Sequence, residues 1–275
     1  MKLAQIYYQE KVRLVKVRDD ALILLDYNGS IVDLMKKNNL TGLMEQNSIP
    51  IESAFFLPPI MHASKVIAIG LNYMDHADEC NMALPKEPLI FTKFSSSLNG
   101  HNHPIFWKES ITQQVDFEAE LAVIIGKTVY QCSKDQAYDA VFGYTCANDV
   151  SARDLQFGDG QWVRGKSLDT FCPLGPWMVS RDEIDNPHSL DIQCRVNGQI
   201  MQKSNTDQMI FSIPDLIVFL SNHFTLYPCD IILTGTPAGV GVFRKPQVFL
   251  KAGDTVEVEI ENIGILSNKA VVSNQ

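Results

Sequence analysis

The chain has 275 residues, 45% of them hydrophobic, which is enough for a sizeable core in one large domain or in a main domain with a small companion. Its formal net charge of −9 and pI of about 5.1 argue against a general binder of nucleic acid or anionic membrane. An acidic metabolite would need a metal, or a local group of Arg and Lys, to draw it in. No apolar run approaches the roughly 18 residues of a membrane span. The six cysteines (Cys80, Cys132, Cys146, Cys172, Cys194 and Cys229) form no C-x-x-C pair, so neither a zinc knuckle nor a thioredoxin motif is present. They read as reduced, mostly buried thiols. The opening M-K-L-A-Q-I-Y-Y-Q-E-K lacks the apolar core of a signal peptide, and the expected location is cytoplasmic.

Residues 1–60 read as a small β-rich module. Residues 12–17, V-R-L-V-K-V, alternate as a half-buried strand does, and residues 21–25 are a compact apolar run. Asn28-Gly29 is a hairpin signal, residues 33–46 suggest a short helix, and Pro50, Pro58 and Pro59 punctuate a connector. The remainder, residues 61–275, reads as the main domain. Residues 65–70, K-V-I-A-I-G, form a buried strand ending at glycine, and the polar L-N-Y-M-D-H-A-D-E-C follows. On a helix His76 and Glu79 share a face. A histidine paired with a carboxylate is held in one tautomer and made more basic, as a general base requires. The alternative is a chance meeting on a surface turn. Residues 89–93 are a further strand, and His101 and His103, beside Gly100 and Pro104, are expected in a turn rather than on a metal.

From residue 115 to residue 121 the chain alternates strictly: Val115, Phe117, Ala119 and Leu121 face one way, Asp116, Glu118 and Glu120 the other. Carboxylates two apart on one strand face repel unless water or a cation lies between them. This strand runs directly into A-V-I-I-G, which reads as buried on both faces, so the acidic face favours a cation. Hard oxygen ligands suit Mg²⁺ or Mn²⁺. Residues 137–146 are expected to form a helix leading into a short strand, at whose end Asp149 would supply a third ligand. Arg153 and Gln156 share the face of a helical turn, and Arg is the natural bidentate partner of a substrate carboxylate.

G-Q-W-V-R-G-K-S at residues 160–167 matches a phosphate-binding loop in form only. That loop follows an apolar strand and opens a helix, whereas here D-L-Q-F-G-D precedes it and Pro173 and Pro176 follow. Lys166 is then a single cation near the acids. Residues 190–196 are strand-like, Asn197-Gly198 marks a hairpin, and residues 212–224 form an amphipathic helix with Pro214 in its first turn. T-G-T-P-A-G-V-G from Thr234 is rich in backbone N–H groups and hydroxyls, and can cradle a carboxylate. Glu257, Glu259 and Glu261 alternate on a solvated strand face.

These residues resemble the fumarylacetoacetate hydrolase family. The resemblance rests on G-L-N-Y-x-x-H, D-F-E-A-E-L-A-V-I-I-G, G-Y-x-x-x-N-D-V-S-A-R-D-x-Q, G-K-S-x-D-T-F-x-P-L-G-P and T-G-T-P-A-G-V-G, which run in order over about three quarters of the chain. The tail G-V-F-R-K-P-x-V-F-L-K-x-G-D looks most like the fumarylacetoacetate hydrolase domain-containing protein 2 branch. The resemblance implies a mixed α+β, mainly β fold with a β-roll catalytic domain, usually a homodimer, with one Mg²⁺ or Mn²⁺ per subunit. It implies Glu118, Glu120 and Asp149 as metal ligands. Arg153, Gln156, Lys166 and Thr236 would line the substrate pocket, and His76 with Glu79 would form an acid/base dyad on a closing lid. The implied chemistry runs through an enolate of a 2-oxo acid. It is acylpyruvate- or fumarylacetoacetate-type C–C hydrolysis or oxaloacetate keto–enol tautomerisation. Decarboxylation of oxaloacetate and 2-hydroxyhepta-2,4-diene-1,7-dioate-type isomerisation are alternatives. A non-catalytic metabolite-binding protein is the alternative of another class.

Overall fold

The computed structural model describes residues 1–27, 31–37 and 43–273. Among them, a twelve-stranded sheet and a five-stranded sheet carry the fold, with short helices at the sheet ends. At the heart of the large sheet lies Ala119–Ile125, all seven residues buried. It pairs antiparallel with Val141–Asn148 on one side and with Ile231–Leu233 on the other. Ile231–Leu233 in turn pairs in parallel with Val66–Gly70.

The central strand is buried on both faces, as its apolar run dictates. Leu121, Val123 and Ile125 join a core with Ile192, Val256, Val258 and Leu266 of the five-stranded sheet. Ala122 and Ile124 pack on the opposite side with Leu174, Met178 and Leu233. Each such Leu, Ile or Val is worth about 1.5–3 kcal/mol on burial. This anchorage holds the acids just upstream inside the protein.

The first strand, Lys2–Tyr8, pairs antiparallel with Cys172–Ser180. Leu3, Leu14, Leu25, Ile31 and Leu34 share the core that holds Ala122 and Ile124. The sheet therefore runs across residue 60 without interruption.

Most elements follow their sequence signals. The apolar run after Asp20 is the strand Ala21–Leu25, and the amphipathic segment is the helix Ile213–His223, capped by the Ser212 hydroxyl accepting from Asp215 N–H. Asn197 and Gly198 both take positive φ (51° and 78°), as a tight hairpin requires. Three expectations are corrected. The helix expected at residues 33–46 is Ile31–Lys37, and Glu45–Pro50 is an edge strand pairing with Ala21–Leu25. The helix expected from residue 137 is Lys134–Ala140, started by a Ser133–Gln136 capping box, and the strand after it has eight residues. The alternating stretch from Val115 is two strands, Val115–Asp116 and Ala119–Ile125, broken where Asp116 accepts Phe117 N–H. The Asn28-Gly29 hairpin signal lies outside the described residues.

Candidate active site

Strand register assembles the acids. Ala119 pairs with Asn148 and Glu120 with Ala147, so Asp149, one residue beyond the strand end, falls opposite Glu118. Its N–H donates to the Glu118 carbonyl at 2.9 Å, and Asn148 Oδ1 accepts the Glu118 N–H at 3.0 Å. One oxygen from each of Glu118, Glu120 and Asp149 lies within 4.8 Å of the other two, and all three residues are buried.

Three buried cations surround them. Lys166 Nζ lies 2.7 Å from both Glu118 Oε2 and Asp149 Oδ2. Lys93 Nζ holds the other Asp149 oxygen at 2.5 Å. Arg153 donates through Nε to Asp116 and through Nη1 to Gln156 Oε1, and Nη2 stands 2.7 Å from Glu118 Oε1. Glycine makes this closeness possible: a Cβ on Gly165 would stand 2.7 Å from Gln156 N and 2.8 Å from Ala152 O. Its absence lets Val163–Lys166 pack onto Arg153–Gly158 and delivers Lys166 to the acids.

Four carboxylates (Asp116, Glu118, Glu120, Asp149) thus face three cations. Burial raises the pKa of Glu118, but Lys166 and Arg153 outweigh it and hold the group at about 2. Glu120 has no ion pair among the described residues, and burial followed by the charges of Asp149 and Glu118 pushes it well above the ordinary range. Burial also opposes the Lys166 ammonium, yet Asp149 and Glu118 raise it overall. A proton on Glu120 therefore balances the group. A divalent ion would replace that proton: four negative charges would face three plus two positive, leaving one positive charge to receive an anion. Three convergent carboxylate oxygens are also the hard donor set that Mg²⁺ or Mn²⁺ takes. The residues fit a divalent ion on both counts.

His76 and Glu79 lie on the helix Met74–Glu79, with Nδ1 2.9 Å from Oε2. The T-G-T-P-A-G-V-G loop fixes this helix and the acids together, and the carboxylates it cradles are the protein's own. Gly235 N–H donates to Glu120, Gly239 N–H to Glu79, and Gly241 and Val242 N–H to Asp116. Gly235 has φ +99°, and a Cβ there would meet Asn72 Cβ at 2.8 Å. Burial works against the His76 imidazolium, but contact with Cys80 and Glu79 outweighs it and pushes the group up to about 9.

A cavity of about 570 Å³ opens over this group. Seven of the nine residues singled out from sequence line it: His76, Glu118, Glu120, Arg153, Gln156, Lys166 and Thr236. Glu79 and Asp149 stand just behind, touching His76 and Lys166. Thr236 Oγ1 donates to the Ala119 carbonyl and accepts from Gln202 Nε2. The opposite wall is apolar, with Phe91, Phe157, Trp162 and Phe243. His101 and His103 sit apart from the cavity, and His101 Nδ1 accepts Ser267 N–H. Asp159 to Trp162 are irregular and Pro173 and Pro176 lie in a strand, so the residue 160–167 stretch is no phosphate loop.

Sequence reasoning missed Lys93 and the use of Asp116. Lys93 is a lysine closing an apolar strand and only 1% exposed; its charge at that strand end was the available signal. Asp116 was visible on the acidic face, but both its oxygens are spent on Arg153 and backbone N–H groups.

The sequence pattern described as Fumarylacetoacetate (FAA) hydrolase C-terminal matches residues 65–271. The mitochondrial oxaloacetate tautomerase FAHD2A of Bos taurus is 52% identical over 226 residues, which cover 81% of this chain and 71% of that one. The fumarylacetoacetate hydrolase of Exiguobacterium antarcticum, whose structure is solved, is 35% identical, with a TM-score of 0.92 over 99% of this chain and 100% of the other. The 2-hydroxyhepta-2,4-diene-1,7-dioate isomerase of Mycobacterium marinum is 36% identical, with a TM-score of 0.83 over the full length of both. The expected cytoplasmic location is corrected by these relatives, because the cattle and human tautomerases at 50–52% identity are mitochondrial proteins. The reading of the cysteines as reduced reports thiol chemistry only, and none of the six forms a disulfide among the described residues. Free thiols mark a reducing environment without naming the compartment.

Proposed function

Because the chain belongs to the fumarylacetoacetate hydrolase family, we propose that it is an enzyme of 2-oxo acid chemistry that uses one Mg²⁺ or Mn²⁺, with keto–enol tautomerisation of oxaloacetate as its reaction. Glu118, Glu120 and Asp149 hold the ion. The observation that carries this reading is one cavity lined by Glu118, Glu120 and His76, with Asp149 closing the acid cluster and Glu79 holding the histidine from just behind its wall. Residues 61–275 carry the catalytic residues, and residues 1–60 are a smaller module that shares their sheet and core. The active assembly is a homodimer, for which exposed Tyr7, Val12 and Phe55 offer apolar surface to cover.

When bound, the ion supplies a Lewis acid that polarises the carbonyl of a 2-oxo acid. The other steps belong to side chains. Arg153 and Lys166 provide positive field for an anionic substrate. Arg153 also takes Gln156 Oε1, which leaves the Gln156 –NH₂ as the group that meets substrate oxygen. Glu79 fixes His76 through Nδ1, so Nε2 is the atom that takes a proton from C3. As the C3–H bond breaks, its electron pair becomes the C2–C3 double bond, the carbonyl π pair moves onto the C2 oxygen, and that oxygen takes the proton that His76 now carries. Lys166 stabilises the negative charge that develops there. Phe91, Trp162 and Phe243 keep bulk water from the reacting carbons.

A second reading has its own support. Oxaloacetate is small beside a cavity of about 570 Å³ with an aromatic wall, which leaves room for a longer 2-oxo acid and for C–C hydrolysis or isomerisation. Proton NMR of the Mg²⁺-loaded protein, with oxaloacetate and acetylpyruvate tried separately, distinguishes them. Faster keto–enol exchange without cleavage supports tautomerisation. Acetate plus pyruvate from acetylpyruvate makes it a C–C hydrolase, and pyruvate from oxaloacetate a decarboxylase.

A further inference from the structure

His76, Glu79 and Cys80 project from one turn of the helix that begins at Met74, at positions i, i+3 and i+4. One donor atom from each lies within 4.8 Å of the other two. His76 Nδ1 is 2.9 Å from Glu79 Oε2 and 3.8 Å from Cys80 Sγ. Zn–N and Zn–O bonds of about 2.0 Å and a Zn–S bond of about 2.3 Å give tetrahedral edges of roughly 3.3–3.6 Å, so the two histidine edges lie within about 0.5 Å of those lengths, and the Glu79–Cys80 edge is no longer than 4.8 Å. Cys80 Sγ is also 3.8 Å from Nε2, so its contacts with the ring are long and weak ones that a metal could replace. Glu79 is already oriented by the Gly239 N–H on its other oxygen, the kind of outer support that metal ligands use.

Access and selectivity agree with this geometry. Cys80 and His76 line the cavity, so an ion can reach them from it. Of the six cysteines Cys80 alone is not buried. The donor set of one nitrogen, one sulfur and one oxygen is softer than the three carboxylates of Glu118, Glu120 and Asp149. A thiolate-bearing set of this kind favours a thiophilic ion over Mg²⁺.

We propose that His76, Glu79 and Cys80 form a second, inhibitory metal site that takes Zn²⁺ or a similarly thiophilic divalent ion. Capture at Nδ1 replaces the Glu79 contact and leaves the ring proton on Nε2, so the imidazole can no longer accept a proton from substrate. Zinc thus switches off the base while the carboxylate cluster keeps its own ion. The inhibitory consequence rests on the reading of His76 as the base; the site itself does not.

The test uses the full chain saturated with Mg²⁺ and titrated with Co²⁺ as a spectroscopic substitute for zinc. The expected result is an ultraviolet thiolate-to-cobalt charge-transfer band that saturates at one ion per chain and is absent from Cys80→Ser and Cys80→Ala. Zn²⁺ should then inhibit oxaloacetate tautomerisation. Each variant, referred to its own zinc-free rate, should need more than about tenfold more zinc, since even loss of an outer-shell partner costs about that much. No thiolate band in the parent protein, or the same band in both variants, would overturn the site. Equal zinc sensitivity in parent and variants would overturn its inhibitory role. If the band appears and vanishes as expected but the protein turns over no 2-oxo acid, the metal site stands and the proposed reaction falls.

Discussion

Lys93 Nζ and Asp149 Oδ1 meet at 2.5 Å with both side chains fully out of solvent, so one oxygen of a metal-ligand candidate is held by a lysine that never sees the cavity. This pairing fixes how Asp149 presents its second oxygen. Lys93→Met removes one member of a buried pair, and such losses cost about 3–5 kcal/mol when the remaining charge is left unpaired; Asp149 keeps Lys166, so the loss should fall at or below the low end of that range. Urea denaturation without metal should show a loss of that size. Addition of Mg²⁺ should recover part of it, since the ion offers Asp149 a new partner. A loss within about 0.5 kcal/mol, typical of a surface change, would contradict the pairing.

Glu118 and Glu120 should respond to the same substitution with opposite signs. Glu120 has its folded pKa raised above 4.5, first by burial and then by Asp149 and Glu118. The cost of keeping it is absent below its unfolded value and grows as pH rises above it. Glu120→Gln should therefore stabilise the metal-free protein at pH 7. Glu118 is held at about 2 by Lys166 and Arg153. Its contribution is present above pH 4.5 and lost as pH falls toward 2, so Glu118→Gln should destabilise the protein at pH 7. Both variants should lose the rise in Tm that Mg²⁺ gives the parent. Thermal melts of metal-free protein at pH 7 decide the signs; destabilisation by both would refute the account of Glu120.

The base should leave its mark on the pH profile. His76 at about 9, against an ordinary 6.5, stays protonated through neutral pH in the metal-free chain. Its stabilising contribution is complete below 6.5 and lost as pH rises through about 9. Glu118 is among the charges that raise it, so loading the carboxylate cluster with Mg²⁺ should lower it. Glu79→Gln removes a second support, and the ascending acidic limb of kcat/KM, where His76 loses its proton and becomes the base, should shift to lower pH with a smaller maximum rate. NMR titration of the His76 ring with and without Mg²⁺ checks the first point. An unchanged midpoint in Glu79→Gln would remove the dyad from the mechanism.

Gly165 should prove sensitive although it bears no chemistry. A methyl group there would meet backbone atoms at 2.7 and 2.8 Å, which cannot rotate away. Gly165→Ala should cost about 1–3 kcal/mol by overpacking. It should also raise KM and lower kcat together as Lys166 moves off Glu118 and Asp149. Full activity in a stably folded Gly165→Ala protein would show that the closeness of the two helices is unimportant.

What the sequence revealed, and what it hid, follows from the range of each interaction. The acidic face of Glu118 and Glu120 was legible because strand alternation is local, and so was the His76–Glu79 pair, set by helical spacing. Asp149 was named as a third ligand from its place at a strand end, but its closing onto the pair had to be assumed, because it depends on the pairing of Ala119 with Asn148, a register set by two whole strands. Lys93 looked like an ordinary strand end. Only the topology that lays Leu89–Lys93 beside Val66–Gly70 brings it within reach of residue 149. The continuity of the first strand with Cys172–Ser180 was hidden for the same reason, since it joins residues about 175 positions apart. The strand Glu45–Pro50 escaped because edge strands carry weak apolar alternation, and its residues are mostly exposed.

The central claim is that the Glu118–Glu120–Asp149 floor and the His76–Glu79 pair together drive enolate chemistry in a metal-dependent way. The rate of keto–enol exchange of oxaloacetate, followed by proton NMR on chelator-stripped protein before and after addition of Mg²⁺, tests it most directly. The account predicts exchange near the uncatalysed rate in the stripped protein and a large recovery with Mg²⁺ in the parent. Glu118→Gln should show no recovery, and His76→Ala should bind Mg²⁺ without regaining the rate. Undiminished exchange in the stripped protein, or full Mg²⁺-dependent exchange in His76→Ala, would contradict it.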